Sequence, residues 1–230
     1  MATGTFYLRP SADISVGHTL YPEDSTAAYL LINEEESDTS STYIAASSLN
    51  KDGNLEYFSS EFSLSGIIPE GRFQIENITA CMVAKLGSVT TSNSELSITA
   101  NGVTSTFGCD AGTQSAWTSA TAIVTDTALL DAINDYISNN DSFPNITLTI
   151  NTSIAEEADN NDGKNSGGDI SITQVYLELT YSLGLNIHTK SNGVWLQAQA
   201  AYQKQNGAWV EITEDECKNI LQSNLLGSGG

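Results

Sequence analysis

Apolar residues recur at every second position through most of this chain, and this two-residue period most constrains its fold. Residues 146–154 alternate cleanly, and so do residues 175–181. Successive side chains of a β-strand point to opposite faces, so the alternation predicts strands with one buried and one exposed face. An α/β fold would need helices between most of these strands, and the sequence lacks them.

Other signals indicate where the strands turn and bend. Asn101-Gly102 lies between two alternating segments, and Asn-Gly is the strongest short signal for a two-residue hairpin turn. Within residues 72–86 the apolar positions change phase, which predicts a β-bulge or a strand buried on both faces. The apolar segments 28–32 and 42–46 flank an acidic turn and are also predicted to be strands.

One internal helix is predicted between the strands, and Asp126 or Thr127 can cap it. Its apolar residues fall at helical spacing: Leu129, Leu130, Ile133, Tyr136 and Ile137. Seven or eight strands with one short crossover helix over residues 1–184 predict an all-β fold. We expect an antiparallel sandwich of the jelly-roll kind.

Residues 185–230 are predicted to form a small second unit, a double β-hairpin followed by a helix. Residues 188–196 and 202–210 both read aromatic-x-Lys-x-Asn-Gly-x-Trp-aliphatic, with His188 in the aromatic position of the first copy. Each Asn-Gly predicts a tight hairpin that places the Trp beside the Lys across the strand pair. A capping box from Thr213 and an apolar stripe predict the terminal helix. Trp195 and Trp209 can fill a small core with Ile220 and Leu221, which does not exclude assembly. We expect this unit to mediate assembly through Lys190, Trp195, Lys204 and Trp209.

Charge and hydropathy exclude two classes of partner. The chain has 28 acidic and 8 basic residues, a formal net charge of −20. This charge repels phosphate backbones, so we expect no nucleic-acid binding. No apolar run approaches the ~20 residues of a membrane-spanning helix, and the first residues lack the features of a signal peptide. We therefore expect no membrane insertion.

Candidate catalytic residues are few. A serine or cysteine nucleophile needs a histidine, and the chain has only His18 and His188. There is no G-x-S-x-G elbow, and His188 occupies the hairpin position that Tyr202 fills in the second copy. We therefore expect neither enzymatic activity nor a cofactor.

The loop at residues 156–169 is a candidate metal site because it is rich in Asp, Asn and Gly. Such oxygen donors suit calcium, but their spacing fails the EF-hand pattern. Turn chemistry explains the same composition without an ion, and we expect a solvated loop with no bound metal. If calcium were bound, the candidate ligands would be Asp159, Asp162 and Asp169.

Carbohydrate binding is a second functional hypothesis. Jelly-roll sandwiches often carry sugar sites made of aromatic residues and polar loops. Isolated aromatic residues are more often core or rim residues, and nothing in the sequence clusters them here. The aromatic residues in or near expected loops are Tyr7, Tyr21, Tyr43, Tyr57 and Trp117.

The paired Lys-x-Asn-Gly-x-Trp hairpins and the acidic-capped helix resemble the C-terminal segment of structural proteins from tailed bacteriophages. Residues 6–14 (FYLRPSADI), 16–18 (VGH) and 176–181 (YLELTY) also resemble such virion proteins. The resemblance implies a non-enzymatic subunit of the tail or baseplate, or a capsid-attached decoration or fibre protein. Such a subunit is made in the host bacterial cytoplasm and assembles with copies of itself and other virion proteins. The alternative is a glycan-binding module for host attachment.

Overall fold

The structure is a computed structural model that describes residues 3–21, 25, 27–33, 42–47, 56–70, 73–86, 90–109, 116–140, 142–156, 169–183, 188–191, 194–197, 201–205 and 207–212. Strands dominate these residues. The elements are β1 (Thr3–Val16), β2 (Thr19–Tyr21), a 3-10 helix (Tyr29–Leu31), β3 (Tyr43–Ser47), β4 (Glu56–Ser65), β5 (Phe73–Leu86), β6 (Thr90–Ala100), β7 (Val103–Gly108), β8 (Thr118–Ile123), α1 (Thr127–Asn140), β9 (Ile146–Glu156), β10 (Asp169–Leu183), β11 (His188–Ser191), β12 (Val194–Gln197), β13 (Ala201–Gln205) and β14 (Ala208–Ile212).

Eight of these strands pair as one nested ribbon. β6 pairs with β7, β5 with β8, β4 with β9 and β3 with β10, all antiparallel. The innermost pair is closed by Asn101 and Gly102, whose φ angles of 47° and 79° are the left-handed values of a type I′ turn. The hairpin predicted at Asn-Gly is confirmed.

The ribbon folds into two sheets because alternate pairs join side by side. β10 also pairs with β5, which gives a first sheet in the order β3-β10-β5-β8. β9 also pairs with β6, which gives a second sheet in the order β4-β9-β6-β7. Two four-stranded antiparallel sheets connected in this nested order are a jelly roll, so the predicted all-β sandwich with one short helix is confirmed.

β1 belongs to both sheets. Residues 3–8 pair with β10 in the first sheet, and residues 9–16 pair with β4 in the second. The strand changes sheets between Leu8 and Arg9. Pro10 follows directly, and because it has no N–H to donate, it is confined to positions such as this sheet edge. β2 extends the first sheet by pairing with β3.

The apolar core lies between the two sheets, and α1 packs against β5, β6 and β7. The face of α1 predicted to be apolar is buried through Leu129, Ile133 and Ile137. The Asp126 carboxylate accepts a hydrogen bond from the backbone N–H of Ala128 at 2.9 Å. Each fully buried aliphatic side chain contributes about 1.5–3 kcal/mol of hydrophobic free energy.

A β-bulge in β5 is the point at which α1 hydrogen-bonds to the first sheet. Ile75 pairs with Tyr181 and Asn77 with Thr180, so Glu76 is an extra residue in the strand. The Asn134 side chain of α1 accepts from the Ile75 N–H at 2.8 Å and donates to the Ile75 carbonyl at 3.0 Å. The phase change in the sequence therefore marks a real bulge, whose freed backbone groups are satisfied by the helix.

The predicted strand at residues 28–32 is wrong. Residues 29–31 form the 3-10 helix, because the Asp13 carboxylate accepts hydrogen bonds from the N–H groups of Ala28 at 2.8 Å and Tyr29 at 2.7 Å. A carboxylate that satisfies consecutive N–H groups stabilises a helical turn instead of a strand ladder.

The two predicted hairpins of the C-terminal unit are present as β11–β12 and β13–β14. The helix predicted after Thr213 and the connection at residues 184–187 lie outside the described residues, so the boundary between residues 184 and 185 stays a prediction. In the described part of the chain, no helix is long and apolar enough to cross a membrane.

A neutral histidine is buried at one end of the sandwich. His18 is only 4% exposed; its Nδ1 lies 2.7 Å from Ser60 Oγ and its Nε2 lies 3.0 Å from Thr152 Oγ1. Ser60 Oγ already accepts the N–H groups of Gly17 and His18, so its own hydrogen goes to Nδ1 and the ring proton is on Nε2. Burial lowers the pKa of His18 from 6.5 to about 4.

We predict that His18 makes the fold acid-sensitive. The unfolded chain takes up a proton on His18 below pH 6.5, whereas the folded chain resists protonation down to about pH 4. Stability is therefore lost as the pH falls through this window. Between pH 7 and 4.5 the free energy of unfolding should fall by about 2–3 kcal/mol more in the wild type than in His18→Gln. Urea unfolding at both pH values measures this, and equal losses would contradict it.

We also predict that the central turn depends on glycine. Gly102→Ala places a Cβ in the left-handed region and should lower the free energy of unfolding by about 1–2 kcal/mol. Gly108→Ala is the matched control, because a Cβ there meets nothing within 4 Å and its φ is not left-handed. Thermal and urea unfolding of both variants compare the two positions, and an equal effect would refute the turn's role.

Candidate functional site

An open cleft of about 810 Å³ lies where β1, β10 and the connection after β4 meet. We call it the aromatic cleft. Alternation along β1 places Phe6 and Leu8 in the core and turns Tyr7 and Arg9 to the opposite side. The cleft is lined by Thr5, Phe6, Tyr7, Arg9, Ser65, Gly66, Ile67, Pro69, Tyr176 and Tyr181.

Tyr176 is held from three directions. The Tyr7 ring meets it edge-on, with 5.8 Å between centroids and 70° between planes. The Arg9 guanidinium carbon lies 4.8 Å from the Tyr176 ring centroid, a cation–π contact. Tyr176 also hydrogen-bonds the side chain of Cys81, its partner across the β10–β5 ladder. This hydrogen bond, followed by burial, raises the pKa of Tyr176 to about 12, so the phenol stays protonated at neutral pH.

The wall opposite β1 depends on a glycine. A Cβ on Gly66 would lie 2.0 Å from the carbonyl oxygen of Tyr7, so no other residue fits at this approach. The close approach places Ile67 and Pro69 beside β1. Ile67 is 92% exposed and Tyr7 46% exposed, so the cleft presents apolar surface directly to solvent.

One cation and one anion set the electrostatics of the cleft. Arg9 stacks on Tyr176, and Glu178 lies opposite Tyr7 in the β1–β10 register. Besides the larger effects of Cys81 and burial, Glu178 raises the pKa of Tyr176 and Arg9 lowers it. Arg9 is the charged residue of the lining, and Glu178, which lies beside the cleft next to Tyr7, opposes its effect on Tyr176.

A second aromatic pair lies along the same sheet. The Tyr43 and Trp117 rings are 6.0 Å apart, and the Lys85 ammonium lies 5.1 Å from the Trp117 centroid. The structure therefore brings together two of the aromatic residues that the sequence left isolated. Tyr21 pairs with Tyr43 in the β2–β3 ladder, whereas Tyr57 is 76% exposed on β4 of the second sheet.

The hairpins place the four predicted contact residues in pairs. Lys190 lies opposite Trp195, and Lys204 lies opposite Trp209. This confirms the predicted cross-strand pairing, while an interface role for the four residues stays a prediction. Tyr202 lies opposite Glu211, which puts Tyr202 and Trp209 on one face of the β13–β14 hairpin. They are 54% and 69% exposed, and we call them the hairpin aromatic face.

The remaining candidates are the three calcium ligands and His188. Asp159 and Asp162 lie outside the described residues, and Asp169 begins β10 opposite Ser47. Over the ranges that the structure covers, no group of three or more His, Cys, Asp or Glu side chains could hold a metal ion. His188 lies at the start of β11 opposite Gln197.

The sequence named Tyr7 but missed its neighbours Arg9, Tyr176 and Tyr181. Their proximity depends on the pairing of β1 with β10, two strands separated by most of the chain. The available signal was alternation, because Tyr176 falls on the outward phase of residues 175–181.

The aromatic cleft offers ring faces, hydroxyl groups and one guanidinium, which are groups that bind and orient a ligand. No protein-family model, curated protein or solved structure matches this chain. Function is therefore inferred from the fold, the aromatic cleft and the hairpin aromatic face.

We predict that the Tyr176 hydroxyl stabilises the sheet. Tyr176→Phe keeps the ring for Tyr7 and Arg9 but removes the hydrogen bond to Cys81, so the free energy of unfolding should fall by about 1 kcal/mol. Tyr57→Phe is the control, since that ring is 76% exposed and its hydroxyl is accessible to water. Urea unfolding at pH 7 compares the variants, and an unchanged midpoint for Tyr176→Phe would argue against this bond.

Proposed function

We propose that the chain is a non-enzymatic structural subunit of a bacteriophage virion, made in the bacterial cytoplasm and incorporated into the particle. Its position is the tail or baseplate, or a decoration or fibre attached to the capsid. The hairpin aromatic face is the observation that carries this proposal. The jelly roll agrees with it, because viral capsid domains use this architecture, although one fold serves many functions.

Exposure of the hairpin aromatic face to water is unfavourable in free energy. A two-stranded hairpin is marginally stable alone, because it has little surface to bury. In β13–β14 the exposed residues include Tyr202 and Trp209 on one face and Val210, 41% exposed, on the other. A partner that covers these side chains would stabilise the hairpin, and Trp and Tyr are the residues that most often dominate interface energy.

The partner that suits this surface best is another copy of the same chain. Virion proteins occur in symmetric groups, and a self-complementary or ring-forming contact repeats one patch around an axis. The hairpin repeat provides two related pairs per chain, Lys190 with Trp195 and Lys204 with Trp209. Assembly therefore proceeds by burying the hairpins between subunits. The acidic sandwich lies outside this contact, where its surface is open to other virion proteins.

We predict that the intact chain is a stable oligomer that depends on the hairpin aromatic face. Combining Tyr202→Ala with Trp209→Ala should raise the dissociation constant between subunits about 30-fold or more. Light scattering over a concentration series measures this. A truncation ending at Leu183 keeps all ten sandwich strands and should be monomeric.

Tyr57→Ala is the control for this experiment, because Tyr57 is equally exposed but lies on the sandwich. Its mass in solution should equal that of the wild type. An intact chain that is monomeric at every concentration and fails to incorporate into particles would refute the proposal. So would an oligomer that survives both the double substitution and the truncation.

Glycan binding for host attachment is the second candidate function. The observation that favours it is the aromatic cleft, in which exposed tyrosine and isoleucine surface lies beside an arginine, with Glu178 across the strand pair from Tyr7. The two functions are compatible, since an attachment protein of a virion is also one of its structural subunits.

A further inference from the structure

We infer that the aromatic cleft binds a neutral oligosaccharide, with one sugar ring stacked on Tyr7 and its hydroxyl groups directed toward Arg9 and Glu178. This inference rests on the second candidate function and assigns it a location and a ligand class. It concerns a part of the molecule distant in sequence from the hairpin residues proposed for assembly.

The first argument is shape. The volume of about 810 Å³ is within the range of about 300–1,000 Å³ found for ligand sites, and the cleft opens to solvent. Ile67 on one wall and Tyr7 on the other leave apolar surface uncovered. A ligand that lies between these walls would remove both apolar surfaces from water.

The second argument is the mixture of chemical groups. The faces of a sugar ring carry C–H groups that pack on an aromatic ring, while its rim carries hydroxyl groups that donate and accept hydrogen bonds. The cleft provides both kinds of partner: the Tyr7 ring, the Arg9 donors and the hydroxyl groups of Thr5 and Ser65. Hydrogen-bonding groups of this kind in a site fix the orientation of a polar ligand and favour it over a purely apolar one.

The third argument is charge. Arg9 lines the cleft, and Glu178 lies beside it on the neighbouring strand, so a hydroxyl-rich ligand there meets both a donor and an acceptor. The chain as a whole carries −20, which repels an acidic polysaccharide. A neutral glycan avoids this overall repulsion, so it is favoured over an anionic one.

The fourth argument is preorganisation. The edge-on contact with Tyr7, the Arg9 cation–π contact and the hydrogen bond to Cys81 fix Tyr176 before any ligand arrives. Gly66 fixes the opposite wall by its close approach to the backbone of Tyr7. A site whose side chains are already ordered loses less conformational entropy on binding.

The test uses the intact chain and soluble hexasaccharides of glucose, mannose, galactose and N-acetylglucosamine, with a galacturonic acid hexamer as the acidic comparison. We expect saturable binding to at least one neutral hexamer, measured by titration calorimetry. Tyr7→Ala should weaken that binding about tenfold or more, whereas Tyr7→Phe, which keeps the ring, should stay within about threefold of the wild type.

Two further variants keep the outcome interpretable. Ile67→Ser changes a side chain that is 92% exposed, so it leaves the core intact, and it should weaken binding about threefold. Tyr57→Ala, on the second sheet, should bind as the wild type does. Light scattering on Tyr7→Ala should give the wild-type mass, which separates the cleft from assembly.

Each contrary result has a distinct meaning. Full binding by both Tyr7→Ala and Ile67→Ser would overturn the cleft as the site while glycan binding itself stood. Binding of the acidic hexamer alone would overturn the neutral class. An intact chain that binds none of the hexamers would overturn this inference together with the second candidate function, and the assembly proposal would be unaffected.

Discussion

The backbone pairing of β10 is the constraint on which the rest of the sandwich depends. β10 pairs with β5 along almost its whole length, and on its other side with β3 and then with β1. It therefore joins the β3–β10 pair to the β5–β8 pair, and it also pairs with the first half of β1, the strand that passes into the second sheet. The outward side chains of β10 are also central to the aromatic cleft, so the same ladder that closes the fold orders Tyr176.

Local signals predicted the fold class well, because each depends on neighbours in sequence. Alternation identified β9 and β10, Asn101-Gly102 identified the central turn, and the phase change near Ile75 identified the bulge. The same local reasoning failed at residues 28–32, where the apolar pattern suits a strand but a carboxylate from β1 stabilises a helical turn. The conformation of residues 28–32 depends on Asp13, which is distant in sequence, and the apolar periodicity of the segment does not indicate that contact.

The aromatic cleft was beyond prediction for a related reason. Tyr7 and Tyr176 are separated by most of the chain, and their contact follows from β1 pairing with β10 in one particular register. A shift of one residue would turn Tyr7 into the core and Phe6 outward. Hydrophobic patterning specifies which side chains of a strand are buried, but it leaves open which other strand lies beside it. The hairpin pairs of Lys with Trp were predictable because both partners lie within one short repeat.

β1 and β10 meet with Thr3 beside Ser182, so the beginning of the first strand of the sandwich and the end of its last strand, β10, lie side by side. Opposite forces applied to these two ends would act across the ladder at its terminal rung. Antiparallel hydrogen bonds loaded in this direction separate one rung at a time, as a zipper opens, whereas strands pulled along their length share the force among all rungs. The sandwich should therefore open gradually when tension is applied between the beginning of β1 and the end of β10.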